Sequence, residues 1–146
     1  MWTGTGNGHI HAGMSAACYC TLLRKATRRL SGVYDEALAP LGINIAQYAL
    51  LRMVAARGSL SLTELGRIAE LDRSTIGRNV RVLERMGLMR TGRSADDHRE
   101  SMVTLTAPGS DLLARARPVW DACQARIEAR LGPQKVEALG AILTAL

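Results

Sequence analysis

Residues 71–99 read LDRSTIGRNVRVLERMGLMRTGRSADDHR, and this stretch decides the fold. The segment from Asp72 to Met86 has the apolar spacing of a helix. Its buried stripe consists of Ile76, Val80 and Leu83, which stand at i, i+4 and i+7. We therefore predict one helix with a single face turned toward a core.

The opposite face of this helix carries mostly one sign of charge. It presents Ser74, Arg78, Arg81 and Arg85 at i, i+4, i+7 and i+11. The guanidinium groups of the three arginines thus project from the helix in nearly the same direction. Arginine is planar and forked, which suits a guanine edge or phosphate oxygens, and an α-helix fits the major groove of DNA. This helix alone favours a DNA contact over an ordinary charged surface.

A second short helix is predicted just upstream. The sequence Ser61-Leu-Thr-Glu64 has the pattern of a capping box, so a helix should begin at Leu62, with Leu65, Ile68 and Ala69 inward. Two short helices joined by a few residues form a helix-turn-helix, whose second member enters the major groove. The pairing strengthens the DNA interpretation.

A β-hairpin is predicted downstream of Gly87. Leu88 to Arg90 and Ser101 to Leu105 have the composition of strands, and the residues between them are polar. Arg93 and Arg99 would lie on or near the tip of this wing, where a thin loop can place arginine into a narrow minor groove. At least one of Asp96 and Asp97 is expected to pair with an arginine and hold it in position. By itself, the segment also fits a solvated hairpin of mixed charge.

Apolar helices are predicted on both sides of this middle region. One runs from Ser15 to about Ala39, and a second from the capping residue Asn44 to Arg57, with Ala46, Leu50, Met53 and Val54 inward. A third follows Thr106, and Pro118 is a candidate kink within it. The last helix, ending at Leu146, has coiled-coil-like apolar spacing. Helices that cannot all bury against a small core are expected to bury against a second copy of the chain, which predicts a homodimer.

Composition narrows the class of partner. The chain has 146 residues, a formal net charge of +6 and a pI near 9.9, which favours polyanions. No apolar run is long enough to cross a bilayer, and three cysteines are too few for a secreted disulfide framework, so we expect a cytoplasmic protein. We predict no cofactor and no metal site, and we find no pattern of an enzyme.

The stretch LTELGRIAELDRSTIGRNVRVLERMGLMRTGRSADDHRESMVTLTAPG, residues 62–109, resembles the MarR family of bacterial winged helix-turn-helix transcription regulators. The resemblance implies a mainly α fold with a small β-hairpin wing (α+β), flanked by N- and C-terminal dimerisation helices. It implies one domain over 15–146, with dimerisation helices in 15–43 and 107–146 and the DNA-binding region in 44–106. The segment 1–14 is rich in glycine and has no helical or strand period, so we expect it to be flexible. Arg99 matches the wing arginine of the family, and Asp97 the acid that steadies it.

The opening helix is similar to that of the thiol-based organic-hydroperoxide sensors of this family. By that resemblance Cys20 is the reactive thiol and Tyr34 lies in its pocket. Cys123 is a candidate resolving thiol from the other subunit. Arg24 and Ile45 replace two tyrosines expected there, so a small-ligand sensor, or neither kind, stays open. Cys18 and Cys20 are alternatively small apolar residues at a dimer interface.

The sequence therefore predicts a dimeric DNA-binding regulator. We expect it to be a repressor that binds a palindromic operator and is released from the DNA by an oxidant or a small molecule. The alternative is a basic winged-helix module that binds an acidic protein and reads no bases. The residues predicted to contact double-stranded DNA are Arg73, Ser74, Thr75, Arg78, Arg81, Arg93, Asp97 and Arg99.

Overall fold

The computed structural model describes residues 18–93, 96 and 101–146. They fall into two compact units that divide between Val33 and Tyr34. The segment 1–14, for which we predicted flexibility, and the wing residues Asp97 and Arg99 lie outside the described residues. The elements in chain order are α1 (Tyr19–Leu38), a 3₁₀ turn (Ala39–Leu41), α2 (Ile45–Arg57), β1 (Ser59–Ser61), α3 (Leu62–Ala69), α4 (Arg73–Arg85), β2 (Met89–Arg93), β3 (Ser101–Leu105), α5 (Ala107–Leu131) and α6 (Pro133–Ala145).

Helix α1 ends where the sequence places its stop signals. Pro40 lies in the 3₁₀ turn that follows the helix, and Gly42 then takes a left-handed conformation with φ of +76°. Within the first unit the apolar side chains of α1 are at most half-buried, and Tyr19 is 80% exposed. Tyr34 and Leu38, in the second unit, are buried.

Helix α2 is buried on several sides. Asn44 caps it as predicted, because its side chain accepts from the backbone N–H of Gln47 while the Gln47 side chain accepts from the backbone N–H of Asn44. The helix packs against α3, α5, β1 and β3. The inward position predicted for Ala46 is wrong, since this residue is exposed. Burial follows the several neighbours of α2 instead of one stripe, and its buried residues are Tyr48, Leu50, Leu51 and Val54.

The sheet has three antiparallel strands in the order β1-β3-β2. The predicted hairpin is present, with β2 reaching Arg93, three residues beyond its predicted end. We did not predict β1. Its sequence, Ser-Leu-Ser, is too short to show an alternation of its own, and it is a strand because Leu60 pairs with Val103 on the free edge of β3.

Helix α3 begins at the predicted residue, but only half of the capping box forms. Ser61 Oγ accepts from the backbone N–H of Glu64 at 3.0 Å. The Glu64 carboxylate does not return to the Ser61 backbone; it binds the Arg67 guanidinium at 2.6 Å. Arg67 lies one turn along the same helix and offers a full positive charge, which is a stronger donor than a neutral amide.

A tight turn connects α3 to α4. Glu70 adopts a left-handed conformation with φ of +53°, and the Leu71 N–H donates to the Gly66 carbonyl oxygen at 2.9 Å. A Cβ on Gly66 would lie 3.1 Å from the Leu71 carbonyl oxygen, so the glycine allows the chain to fold back this closely. The turn sets the angle at which α4 leaves the core.

The start of α5 is fastened to the chain that leaves α4. Thr106 Oγ1 donates to the Gly87 carbonyl oxygen at 2.5 Å, and the Thr106 N–H donates to the Leu88 carbonyl oxygen at 3.1 Å. The same Oγ1 caps α5 by accepting from the backbone N–H of Gly109. Helix α5 then continues through Pro118 for a total of 25 residues.

Helix α6 buries none of its side chains in the protomer. Its apolar residues Leu139, Ile142 and Leu143 are exposed, and so is Leu146, which directly follows the helix; the exposed fractions of Leu143 and Leu146 are 72% and 93%. In the described part of the chain no single helix is long and apolar enough to cross a membrane. One pair of segments, Tyr19–Leu41 and Ile45–Arg57, reaches that length and composition only jointly, and a 74° bend separates the two.

Candidate nucleic-acid interface

Helix α4 presents its basic face to solvent. Ile76, Val80 and Leu83 are buried, as the periodicity predicted. The side chains predicted to read DNA lie on the outside: Arg73, Ser74, Arg78 and Arg81 are exposed, and Thr75 is half-buried. One helix therefore brings five of the eight predicted site residues together on an accessible surface.

The first turn of α4 is organised by Asp72. Its Oδ1 accepts from the Thr75 backbone N–H and from Ser74 Oγ, each at 2.8 Å, and its Oδ2 accepts from Thr75 Oγ1 at 3.0 Å. The Thr75 amide, the Ser74 hydroxyl and the Thr75 hydroxyl, in that order, lower the pKa of Asp72 to about 2. The carboxylate thus stays ionised at any pH near neutrality.

Sequence reasoning did not place Asp72 in the site. A negative side chain is the wrong sign for a contact with phosphate, so charge patterning passes over it. The signal available was positional: Asp directly before an amphipathic helix is a preferred N-cap. Asp72 belongs to the site through the neighbours that it holds.

Two further contacts fix the arginines of this surface. Arg73 Nη1 donates to Thr63 Oγ1 on α3 at 2.9 Å, which ties the two helices of the helix-turn-helix together. Arg78 Nη2 lies 3.5 Å from Thr75 Oγ1, the outer limit of a hydrogen bond. The Arg78 guanidinium therefore lies over the first turn of α4.

The wing is joined to α4 by a side-chain hydrogen bond. Thr91 Oγ1 on β2 donates to Glu84 Oε2 at 3.0 Å. Arg93 is exposed and pairs with Ser101 at the last position of the described hairpin. The predicted contact between Asp97 and Arg99 lies outside the described residues. Among the described residues, the two elements predicted to touch DNA are thus held to each other.

Gly77 leaves an open position on α4. A Cβ built there would meet no atom within 4 Å, so packing within the protein does not require a glycine at this position. Its neighbours one turn away on each side are Arg73 and Arg81. At this position no side chain projects from the basic surface between the two arginines.

The three cysteines, of which Cys20 and Cys123 were predicted as sensors, lie in different environments. Cys18 and Cys20 are exposed, and Cys123 is fully buried. Hydrogen bonds from the backbone N–H groups of Thr21 and Cys20, and from the Thr21 side chain, lower the pKa of Cys18. No group of three or more His, Cys, Asp or Glu side chains among the described residues is arranged to hold a metal ion.

Tyr34 is buried within the second unit. Its hydroxyl donates to Gln124 Oε1 on α5. Burial raises the pKa of Tyr34, and the neighbouring Cys123 and Glu128 raise it further because they disfavour an additional negative charge. Tyr48 is also buried and stacks on Trp120 with ring centroids 5.8 Å apart. Arg52 covers Trp120 with its guanidinium carbon 4.6 Å from the ring centroid.

A helix-turn-helix with an exposed arginine face, followed by a hairpin fastened to it, defines a winged helix-turn-helix protein. A sequence model of the MarR family matches residues 41–100. The HTH-type transcriptional repressor Rv2887 of Mycobacterium tuberculosis is 37% identical over 104 residues, which are 70% of this chain and 75% of that protein. The organic hydroperoxide resistance transcriptional regulator of Bacillus subtilis is 29% identical over 97 residues, which are 66% of each chain.

Solved structures show the same likeness. The M. tuberculosis transcriptional regulator MOSR (Rv1049), crystallised in complex with DNA, is 32% identical, with a TM-score of 0.75 over 88% of this chain and 98% of that chain. The chain belongs to the MarR family of DNA-binding transcription regulators. This confirms the resemblance and the fold class predicted from the sequence. Members of the family are regulators and not enzymes.

Proposed function

We propose that the chain is a homodimeric repressor that binds a palindromic DNA operator and is released by a small molecule or an oxidant. The observation that carries the proposal is the outer face of α4, on which Arg78 and Arg81 are exposed beside a capped first turn. The repressor related to this chain and the DNA complex of a relative support it. In this proposal α4 enters the major groove and the wing, with Arg93, Asp97 and Arg99, lies along the minor groove.

The charge of the protein supports the same partner. The net charge is +6, and 19 basic side chains include only two lysines, Lys25 and Lys135. Contacts with phosphates release counterions, so affinity for DNA should fall steeply as salt rises. Arginine forks add directed hydrogen bonds that diffuse attraction by lysines does not supply.

The dimer in this proposal is formed by the terminal helices. Helix α6 and the Leu146 that follows it expose four large apolar side chains that no part of the protomer covers within the described residues. Contact with the same surface of a second copy would remove them from water, which is the main driving force of association. Two copies also supply two α4 helices for the two half-sites of a palindrome.

Replacing Arg78 with alanine is expected to weaken binding to the operator by about 1 to 3 kcal/mol, because the guanidinium loses a forked contact with a base edge. The operator is first obtained by selecting duplexes from a random pool with the wild-type protein. Fluorescence anisotropy at constant salt then compares the variant on the selected duplex and on random DNA. Relaxed preference at one base pair is the expected signature.

The matched control is Arg115→Ala, which removes an exposed arginine of α5. This variant should bind the operator like the wild type. Equal losses for Arg78→Ala on selected and random DNA would assign Arg78 to a phosphate. If the wild-type protein selects no sequence at all, the proposed function is wrong and a module that binds an acidic protein is favoured.

For the release step, we propose Cys20 as the thiol that an organic hydroperoxide oxidises, with Tyr34 in the effector region and Cys123 as the resolving thiol. Exposure of Cys20 supports access by an oxidant. The expected result is that cumene hydroperoxide releases the wild-type protein from its operator while Cys20→Ser stays bound. Cys18→Ser is the matched control, since Cys18 is a second exposed thiol near the start of the same helix. Release of Cys20→Ser at the wild-type rate would reject this role.

A further inference from the structure

The hydroxyl groups on the first turn of α4 are restricted in what they can recognise. Asp72 carries no proton at neutral pH, so each hydroxyl hydrogen-bonded to it must be the donor. Ser74 Oγ donates to Oδ1 at 2.8 Å and Thr75 Oγ1 donates to Oδ2 at 3.0 Å. A hydroxyl has one proton, and in both residues that proton is already engaged. Toward the outside of the protein, each hydroxyl oxygen can therefore only accept a hydrogen bond.

This orientation separates the chemical groups of DNA into two classes. Phosphate oxygens, guanine N7 and O6, adenine N7 and thymine O4 are acceptors, and they cannot bond to a hydroxyl that has no free proton. Adenine N6 and cytosine N4 are amino donors on the floor of the major groove. The negative charge of Asp72 beside the hydroxyls further disfavours a phosphate at this point.

Ser74 is the better placed of the two hydroxyls. It is exposed, and among the described residues its Oγ has Asp72 as its hydrogen-bond partner. Thr75 is half-buried, and its Oγ1 already lies within reach of Arg78 Nη2. The Ser74 hydroxyl oxygen therefore has lone pairs available to accept a hydrogen bond from a group outside the protein.

We propose that Ser74 is a specificity-determining residue that accepts a hydrogen bond from the amino group of an adenine or a cytosine in the operator, with Asp72 as the positioning residue. The inference rests on the proposed function, in which α4 lies in the major groove. Arg78, a donor, stands one turn further along the same face, roughly 6 Å away. Since base pairs are stacked at about 3.4 Å, the amino group read by Ser74 lies roughly one to two base pairs from the acceptors read by Arg78.

The test removes single groups from the DNA. In the duplex selected by the wild-type protein, each adenine of the half-site is replaced by purine, which lacks the N6 amino group, and each cytosine by its 4-deamino analogue. A second series uses 7-deazapurines, which lack the N7 acceptor. Dissociation constants are measured for wild type, Ser74→Ala and the control Ser110→Ala, an exposed serine of α5.

One amino deletion is expected to weaken wild-type and Ser110→Ala binding by about three- to tenfold more than it weakens Ser74→Ala binding, which is the worth of one hydrogen bond. Because the comparison is a double-mutant cycle, any loss caused by weaker base pairing in the modified duplex cancels. Coupling of Ser74 to a 7-deaza substitution, or to no substitution, overturns the inference. Arg78 can still read its base in that case, which leaves the proposed function standing.

Asp72→Ser tests the positioning role separately. Serine remains a good N-cap, so α4 should keep its first turn, which far-UV circular dichroism checks. Without the carboxylate the Ser74 hydroxyl regains a free proton and can face acceptors as well as donors. The discrimination at the Ser74 base pair is expected to narrow by about threefold or more, while affinity for random DNA rises. Unchanged discrimination would show that Asp72 does not set the direction of the hydroxyl.

Discussion

Replacing Gly109 with alanine is expected to destabilise the protein by more than about 3 kcal/mol, the upper end of the usual cost of overpacking. A Cβ at this position would lie 2.0 Å from the Leu88 carbonyl oxygen and 2.9 Å from its carbonyl carbon. Both atoms belong to the backbone, which cannot rotate away as a side chain would. The Leu88 oxygen is also held by the Thr106 N–H, so relief of the clash breaks the junction between α4 and α5.

Thermal unfolding followed by circular dichroism measures this effect, and the midpoint should fall by about 10 °C. Gly77→Ala is the matched control, because the same substitution in α4 meets no atom within 4 Å. It should instead stabilise the helix by about 1 kcal/mol, since alanine has the better helix propensity. A Gly109→Ala variant with a wild-type midpoint would contradict the close packing at this junction.

Charging the exposed stripe of α6 is the second change with a large expected effect. The double substitution Leu139→Glu with Leu143→Glu places two carboxylates where the proposed dimer buries apolar side chains. Both leucines are exposed in the protomer, so the fold of one chain should persist. The protein is expected to become monomeric and to lose about 10²- to 10⁴-fold in operator affinity, because the two half-sites no longer bind in one event.

Sedimentation equilibrium gives the oligomeric state, and a gel shift on the selected duplex gives the affinity. Ala141→Glu, on the opposite side of the same exposed helix, introduces a charge without touching the stripe and should leave both measurements unchanged. A double variant that sediments as a dimer would show that the subunits associate through another surface.

The sequence predicted those parts of the fold that depend on one helix or one turn. The inward face of α4 follows from the spacing of Ile76, Val80 and Leu83, and the Asn44 cap from local hydrogen bonding. Strand β1 did not emerge, because Ser59–Ser61 becomes a strand only through the edge of β3. Ala46 was assigned inward because a periodicity assumes one buried stripe, whereas burial in α2 follows its contacts with α3, α5, β1 and β3 and leaves Ala46 exposed.

The same division holds for the candidate site. The arginines of α4 were predicted because charge and helical period coincide there. Asp72 was missed because its effect is indirect: it fixes hydroxyls that would otherwise rotate freely. Glu64 was expected to complete a capping box and pairs with Arg67, since periodicity does not rank two competing partners. The roles of Cys20, Tyr34 and Cys123 stay predictions.

The hydrogen bond from Thr106 to Gly87 couples the position of α5 to that of α4. A helix of 25 residues is about 37 Å long, and the N-terminal end of α5 is hydrogen-bonded to Gly87 in the turn that follows α4. If α5 rotated by about 5° about its C-terminal end, its N-terminal end would move by about 3 Å, close to the spacing of one base pair. In the proposed release step, an effector bound away from the DNA would therefore act by tilting α5, which would displace α4 relative to the base pairs of the operator.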